Sequence, residues 1–295
     1  MKTISYEKKK QIIAYLFLLP WLLGVVFFFI IPFIQSFIYS FSSVKINPGS
    51  LDIQFVGLDN YKKAFLEDPY VKPAIIASVT SVLYQVPLIL IFSIFVATLL
   101  NQKFKGRLLA RAIFFLPVII SGSVVISILR GDALSNAILS GAKSGTMFEV
   151  NSLEMMMTQW GIGDKIILFI TNMISNIFNL SWRSGVQILL FLAALQNIPG
   201  SYYEVASIDG ANKWVLFWKV TFPMISPMLM TGVVYSIIDG FLDSMNPLVN
   251  LIYDASTKLD IPYAAALSWT NMVITLVIIG ISYVIIDKRI TYFVE

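Results

Sequence analysis

Long apolar runs separated by short polar segments make up most of the chain. A helix that crosses about 30 Å of hydrocarbon needs roughly 20 apolar residues. Six stretches meet this requirement and predict membrane-spanning helices, at residues 12–33, 74–100, 110–129, 172–197, 226–250 and 263–286. The first is too long for the apolar region of a signal peptide and has no convincing small-residue cleavage site, so we expect it in the mature protein.

The fourth span has two interpretations. Residues 166–180 are also apolar and run into it, with Arg183 as the interruption. Two separate spans would make seven in all and would disturb the charge pattern described next. We prefer one long helix that projects outward and is kinked between Ser181 and Gly185.

Basic residues cluster at alternate ends of the predicted spans. The clusters are Lys2, Lys8, Lys9 and Lys10, then Lys103, Lys105, Arg107 and Arg111, and finally Lys288 and Arg289. With six spans all three clusters fall on one side, and the positive-inside rule makes that side the cytoplasm. We therefore predict a cytoplasmic N-terminal segment, 1–11, a single transmembrane domain, 12–295, and a cytoplasmic C-terminus. Segment 130–171 becomes an extracytoplasmic loop.

Composition agrees with a membrane protein and excludes several kinds of site. The 295 residues are 57% hydrophobic and only 13% charged, where a soluble domain is nearer one quarter charged. The chain has no Cys and no His. It therefore lacks disulfides, thiolate ligands and the commonest general base, and we expect neither a metal site nor enzymatic activity. No basic stripe interleaved with aromatic residues suggests nucleic-acid binding.

One amphipathic segment, residues 201–223, interrupts the apolar pattern between the fourth and fifth spans, on the cytoplasmic side. Ser201 and Glu204 have the spacing of a capping box, which predicts the start of a short helix. Gly210 suits the positive φ that ends a helix, and Asn212 suits the N-cap of the next. The segment is therefore predicted to be a helical hairpin, with one face formed by Trp214, Phe217, Trp218 and Thr221.

The residues alone leave two interpretations of this hairpin open. In the first, its aromatic rings lie at headgroup depth as an interfacial anchor. In the second, its short helices dock into a groove of a soluble partner.

The same segment resembles the coupling motif of ABC-importer permeases, which is E-A-A, three residues, G, nine residues, then I-x-L-P. The motif positions hold Glu204, Val205 and Ala206, then Gly210, and then Val220, Thr221, Phe222 and Pro223. Val205 departs from the motif at its first Ala, and Val220 and Phe222 are conservative changes. Three further stretches are similar to carbohydrate-uptake permeases of the MalF/UgpA type, namely FVGLDNYKKAF (55–65), FFLPVIISGSVV (114–125) and FLAALQNIP (191–199).

This resemblance implies an all-α integral membrane protein with the type I ABC importer permease fold, in the inner (cytoplasmic) membrane. It implies half of a translocation path that works by alternating access, completed by a second homologous permease subunit. The other implied partners are two copies of a cytoplasmic ATPase, which bind ATP and Mg, and an extracytoplasmic solute-binding protein. This chain has no G-x-x-x-x-G-K-[ST] motif for a nucleotide site of its own.

The resemblance also implies which residues couple to the ATPase: Glu204, Ala206, Asp209, Gly210, Ala211, Trp214, Phe217 and Pro223. We expect the solute to be a neutral oligosaccharide, with a glycerol phosphate or another small solute as the alternative.

Polar groups in and after the fifth span are candidates for the solute path, because such groups are costly within a membrane. Family sugar contacts tend to fall in the corresponding helix, and the candidates here are Tyr235, Asp239, Phe241, Asp243 and Asn246. The alternative places the two aspartates at the outer headgroups. We expect Arg183 to extend to the outer interface and Gln85 to form a hydrogen bond across helices.

The chief rival function is a secondary transporter driven by an ion gradient. Such proteins need ionisable residues near the midplane, often on broken helices in repeated halves. No Asp, Glu, Lys or Arg lies centrally in the first, second, third or sixth span, and no internal repeat is evident. A structural scaffold would not require a hairpin centred on a glycine.

Overall fold

A computed structural model of the protein describes residues 6–47, 50–121, 156–161 and 163–288. Several predictions lie outside these described residues: those for residues 1–5, for the third span beyond Ser121, for most of loop 130–171 and for the chain beyond Lys288.

Helices dominate the described chain. In order they are α1 (Tyr6–Val25), α2 (Ile31–Ser40), α3 (Asp59–Lys62), α4 (Val71–Asn101), α5 (Arg107–Ser121), α6 (Asp164–Arg183), α7 (Gly185–Gln196), α8 (Gly200–Ile208), α9 (Lys213–Leu216), α10 (Phe222–Leu242), α11 (Pro247–Thr257) and α12 (Ile261–Asp287). π-helical turns occur at Val26–Ile30, Lys63–Glu67 and Phe217–Thr221. Within the described residues the all-α prediction holds apart from one antiparallel hairpin of β1 (Ser42–Asn47) and β2 (Ser50–Phe55), with Ser42 opposite Phe55.

Among the described residues, four helical stretches are long and apolar enough to cross a membrane. They are Tyr15–Ser40, Val71–Asn101, Lys213–Leu242 and Ile261–Asp287. These overlap the first, second, fifth and sixth predicted spans. The third is described only as far as Ser121, so the full set of six remains a prediction.

The fourth predicted span is interrupted inside the interval in which we expected a kink. α6 ends at Arg183, Ser184 forms a turn, and α7 begins at Gly185. The Ser184 hydroxyl donates a hydrogen bond back to the carbonyl of Leu180. Such a back-bond competes with the regular helical ladder and bends helices.

The fifth span is shorter than predicted. α10 ends at Leu242 instead of continuing to residue 250, because Asp243 is extended, with φ −61° and ψ 131°. Asn246 then caps a new helix, α11, whose first residue is Pro247. Proline at this position favours the start of a helix, which explains why the apolar run is divided.

The chain divides into two compact units, Met1–Ser78 with Met245–Ile274, and Val79–Ser244 with Thr275–Glu295. In the first unit, side chains from the FVGLDNYKKAF stretch attach the β-hairpin to the end of α2. Asn60 Nδ2 donates hydrogen bonds to the carbonyls of Ser40 (3.0 Å) and Ser42 (2.9 Å). The Tyr61 hydroxyl donates to Ser40 Oγ at 2.9 Å. These bonds satisfy backbone groups at the point where the chain leaves α2.

The first unit also has a small apolar core with polar contacts beside it. The core consists of Ala64, Val71, Ala255, Tyr263, Ala264 and Leu267. The Tyr263 hydroxyl donates to Asp68 Oδ2 at 2.7 Å, and Lys63 Nζ lies 2.8 Å from Asp260 Oδ2. This ion pair is nearly half exposed, so it contributes about 1 kcal/mol or less and the apolar core carries most of the local stability.

In the second unit, small residues allow α10 to pack closely against its neighbours. A Cβ placed on Gly232 would lie 3.0 Å from both Leu90 on α4 and Phe191 on α7, and one on Gly240 would lie 3.0 Å from Val82 on α4. Small residues spaced four apart permit this kind of close helix packing in membranes.

Ser236 lies between these two glycines on the same face of α10. It is buried, and its Oγ accepts a hydrogen bond from Gln187 Nε2 of α7 at 2.9 Å. The second unit therefore combines close van der Waals contact with a hydrogen bond between two apolar helices.

Candidate functional site

The segment predicted as a hairpin, 201–223, forms two short helical arms joined by a tight turn. α8 ends at Ile208, and Gly210 has a φ of +78°, which confirms the predicted conformation. The Ala211 N–H donates to the Ala206 carbonyl at 3.0 Å and so caps the end of α8. Glycine adopts this backbone conformation without the steric cost that a Cβ would add.

The two arms begin differently. Asn212 is the N-cap of α9, and its Oδ1 accepts a hydrogen bond from the Val215 N–H at 2.9 Å, as predicted. The capping box predicted from Ser201 and Glu204 is wrong. α8 begins directly after Pro199, which occupies the N-cap position, so Ser201 lies within the first turn and makes no capping bond.

A side-chain contact ties the two arms together. Thr221 Oγ1 lies 3.1 Å from the Tyr203 hydroxyl and donates to the Leu216 carbonyl at 3.3 Å. Thr221 is therefore buried while Trp214 is exposed, so the prediction that both lie on one face is wrong. The cause is the π-helical turn Phe217–Thr221, whose i→i+5 bonds alter the helical period.

The aromatic rings of the second arm nevertheless contact one another. The Trp218 ring centroid lies 5.7 Å from that of Trp214, 5.1 Å from Phe217 and 5.2 Å from Phe222, in edge-on or tilted arrangements. Such ring pairs add about 0.5–1.5 kcal/mol each beyond their buried area. The second arm is therefore stiffened by its own side chains.

Outside this braced interior, the hairpin presents an exposed apolar surface. Ile208 is 85% exposed, Trp214 70% and Val205 60%. We call these three residues the hairpin surface. The exposed acids Glu204 and Asp209 lie beside it in the chain.

The structure thus divides the eight predicted coupling residues into two groups. Four of them are exposed, namely Glu204, Asp209, Gly210 and Trp214. The other four are partly buried, namely Ala206, Ala211, Phe217 and Pro223.

A second feature of interest is a charged cluster among α4, α6 and the end of α10. Arg183 Nη2 lies 2.5 Å from Asp243 Oδ2, and Arg183 Nη1 donates to Gln85 Oε1 at 2.8 Å. Both charged side chains are about three-quarters buried. We expected Arg183 to extend to the outer interface, but it instead forms these two contacts. The predicted hydrogen bond of Gln85 across helices is confirmed.

Two more predicted path residues belong to this cluster. Asp239 lies one helical turn before Asp243 and within electrostatic range of Arg183 and Asp243. Tyr235 lies a further turn back, is 37% exposed and is within range of Asp239. The cluster holds one positive and two potentially negative groups beside an accessible aromatic ring.

The remaining two predicted path residues do not join the cluster. Phe241 is 1% exposed and packs inside the second unit. Asn246, in the first unit, accepts hydrogen bonds at Oδ1 from the Ser78 hydroxyl (2.6 Å) and the Leu248 N–H (3.0 Å). These contacts give Phe241 a packing role and Asn246 a capping role.

Sequence analysis missed Gln187, which is fully buried in α7 and bonds to Ser236. A signal for it was present. Gln187 is a single amide near the start of a long apolar run, and such groups within a membrane usually find a partner.

Comparisons with known proteins agree with this architecture. Residues 74–292 match the family described as "Binding-protein-dependent transport system inner membrane component". The probable ABC transporter permease protein YesP of Bacillus subtilis (strain 168) is 31% identical over 315 residues, covering 100% of this chain and 96% of the relative. The arabinooligosaccharides transport system permease protein AraP of the same organism is 30% identical, covering 81% of this chain and 72% of its own.

The fold also resembles that of a solved transporter. A chain in the crystal structure of a bacterial alginate ABC transporter, in complex with an alginate pentasaccharide-bound periplasmic protein, superposes with a TM-score of 0.64 at 20% identity. The match covers 93% of this chain and 94% of that one. With multiple apolar helices and a family match over most of its length, the chain belongs to the inner membrane components of binding-protein-dependent transport systems.

Proposed function

We propose that this chain is one of two permease subunits in an ATP-driven importer of a neutral oligosaccharide, and that the hairpin 201–223 transmits the motion of a cytoplasmic ATPase to the membrane helices. The observation that carries this proposal is the exposed, braced hairpin, which combines the ABC-permease coupling motif with the positive φ of Gly210.

The hairpin surface is suited to a groove on a soluble partner. Ile208, Trp214 and Val205 expose apolar side chains, and burying each in a groove stabilises a complex by about 1.5–3 kcal/mol before the costs of association. The Tyr203–Thr221 contact holds the arms together, so a push on the hairpin reaches α10 without being absorbed in the turn. Nucleotide-driven closure of the ATPase then shifts the permease between inward-open and outward-open states.

The proposed topology has six spans with both termini in the cytoplasm. The four spans among the described residues and the basic clusters at alternate span ends support it. This topology puts the hairpin and the Lys103–Arg111 segment on the ATPase side. It puts the β-hairpin, α11 and loop 130–171 outside, where a solute-binding protein would deliver its cargo.

The charged cluster supports a location for the solute path beside the end of α10. Charged groups that are partly accessible within membrane helices face an aqueous cavity or another subunit and not lipid. Asp239, Asp243 and Tyr235 therefore line the path or its closed gate, and the Arg183–Asp243 pair holds α6 to the end of α10.

The sign of this cluster bears on the substrate. With two acidic side chains beside one guanidinium, the cluster has no excess of positive charge and does not favour an anion, which argues for a neutral saccharide over a glycerol phosphate. The relatives' names span both classes, since AraP is an arabinooligosaccharide permease, MsmF belongs to a multiple sugar-binding transport system, and UgpA serves sn-glycerol-3-phosphate.

The remaining parts of the importer would be separate subunits. The second permease would be a homologue that completes the path. A pair of ATPases would bind ATP and Mg, and an extracytoplasmic binding protein would supply most of the selectivity.

The test of this function is a paired substitution at two glycines. Gly210→Val and Gly106→Val both force a β-branched residue into positive φ (+78° and +89°), and at neither position would a Cβ meet another atom of the described residues within 4 Å. In proteoliposomes containing the whole complex and loaded binding protein, we expect G210V to lower ATP-driven uptake by about tenfold or more, the usual scale of a lost coupling. Its ATP hydrolysis should continue.

The control G106V carries the same kind of backbone strain on the proposed cytoplasmic side but outside the hairpin, and it should transport normally. Uptake by G210V at the wild-type rate would overturn the coupling role. Uptake that persists without ATPase, or that a protonophore abolishes, would instead support an ion-driven transporter.

A further inference from the structure

A groove between α5 and α7 has no part in the proposed transport cycle. Its volume is about 370 Å³. Its apolar wall is formed by Leu108, Ala112, Leu189, Leu192 and Ala193, and two polar side chains, Arg111 and Gln196, complete the lining.

Arg111 has an unused donor at this groove. Its Nη2 donates to the Leu100 carbonyl at 3.2 Å, and Arg107 Nε donates to the same carbonyl at 3.1 Å, so the two arginines cap the end of α4. Arg111 Nε is buried and has no hydrogen-bond partner among the residues that the structure describes. A buried donor without a partner is costly, so Arg111 Nε requires an acceptor beyond the described residues.

The charge around the groove specifies the sign of that acceptor. Lys103, Lys105, Arg107 and Arg111 fall within nine positions, and residues 102–112 include no Asp or Glu. Lys103 and Lys105 are exposed. An anion is therefore favoured over a neutral or zwitterionic group, and a phosphate matches the fork of an arginine.

The outer surface of α5 specifies the rest of the ligand. Leu108 is 83% exposed, Leu109 71% and Ile113 67%, so the helix presents apolar side chains beside the groove. In a membrane protein such a surface meets hydrocarbon. A ligand that fills an apolar wall and also reaches Arg111 must have an acyl chain and an anionic head.

We propose that this groove binds an anionic phospholipid, with its phosphodiester at Arg111 and one acyl chain along Leu108, Leu189 and Ala193. The site lies where the basic segment between two spans meets the membrane, the position at which anionic headgroups are recognised. The bound lipid supplies the acceptor that Arg111 Nε lacks and holds α5 against α7.

Native mass spectrometry of the full chain, co-purified with its partner subunits and titrated with phosphatidylglycerol or phosphatidylcholine, tests this proposal. We expect wild type to retain phosphatidylglycerol at least about tenfold more tightly than phosphatidylcholine, and Arg111→Gln to lose that preference. Lys105→Gln is the matched control, because it removes one charge from the same segment but does not line the groove. It should keep the tight phosphatidylglycerol adduct.

A second variant tests the acyl-chain contact without changing charge. Ala193→Phe fills the apolar wall and should also lose the phosphatidylglycerol adduct in an otherwise intact complex. Retention of the adduct by A193F, or equal loss in R111Q and K105Q, would overturn the proposal in favour of a diffuse surface charge effect. Displacement of the lipid by soluble glycerophosphoglycerol would overturn it in favour of a free-phosphate site.

Discussion

Arg183 shows how one positive charge is accommodated among apolar helices. A guanidinium presents several N–H groups in a fixed plane, so it can bond two oxygens at once. Here it donates a hydrogen bond to Gln85 on α4 and forms an ion pair with Asp243, which follows α10. Since both charged side chains are largely buried, each depends on the other to offset the cost of leaving water.

The ion pair yields a prediction for the residue scale. Arg183→Met leaves Asp239 and Asp243 without their cation and should lower uptake by about tenfold. Breaking a fully buried ion pair costs roughly 3–5 kcal/mol of stability. The cost here should be smaller, because both side chains of this pair are still about one-quarter exposed. The exchange Arg183→Asp with Asp243→Arg should restore part of the loss. Initial uptake rates, normalised to the amount of protein in the membrane, measure both.

Lys165→Met is the control for that experiment, because it removes one exposed positive charge from the same helix. If K165M lowers uptake as much as R183M, the pairing has no special role. If the charge exchange recovers no activity, the conclusion that a direct contact between Arg183 and Asp243 is needed for transport would be wrong.

The extent to which single residues could be predicted follows from the distance over which their interactions act. Gly210 and Asn212 were predictable because a turn and an N-cap depend on residues within about four positions. The Arg183–Asp243 pair was not, since it depends on how two helices distant in the sequence are rotated toward each other. Thr221 was misplaced because the sequence gives no sign of the π-helical turn before it.

At the scale of elements, the packing of α10 depends on the absence of side chains at two positions. A Cβ at Gly240 would approach Val82 to 3.0 Å, closer than real Cβ atoms normally come to a neighbour. Gly240→Leu should therefore destabilise the second unit by about 1–3 kcal/mol, the usual cost of overpacking.

The measurement for this prediction is the thermal midpoint of the purified complex, with Gly280→Leu as the matched variant. Gly280 is also inside a membrane helix, but a Cβ there meets nothing within 4 Å. Both substitutions gain helix propensity, so only the contact with α4 distinguishes them. A midpoint lowered equally in both variants, or in neither, would show that close packing at Gly240 is not required.

Element boundaries were the part of the fold that hydropathy could not supply. The first, second, fifth and sixth spans were located from apolar length alone, because that is the property the membrane selects. The fifth was drawn too long, since Leu248 and Leu251 continue the apolar run after the Asn246–Pro247 start of α11. The hairpin of β1 and β2 was not anticipated, and the Asn60 side chain, 18 residues further along the chain than Ser42, bonds to the carbonyl at its base.

At the scale of the whole molecule, the family match and the fold similarity both indicate the membrane component of a binding-protein-dependent transport system. The chain contributes membrane helices and a projecting hairpin, and it has no sequence motif for nucleotide binding. In the importer proposed above, energy would enter through a contact with a separate ATPase subunit. The hairpin surface is apolar, exposed and braced, and the proposed topology places it on the cytoplasmic side, so it fits this requirement.

The absence of cysteine from the sequence makes that contact directly measurable, because an introduced cysteine is unique within this chain. The decisive measurement is photo-crosslinking of the assembled importer in native membranes from Ile208→Cys carrying a benzophenone maleimide, compared with Phe55→Cys. Both positions are at least 80% exposed, but we place them on opposite sides of the membrane. We predict a covalent adduct between position 208 and the ATPase subunit and none from position 55. An adduct with the ATPase from position 55, or labelling of position 208 by an impermeant maleimide added outside intact cells, would contradict the account.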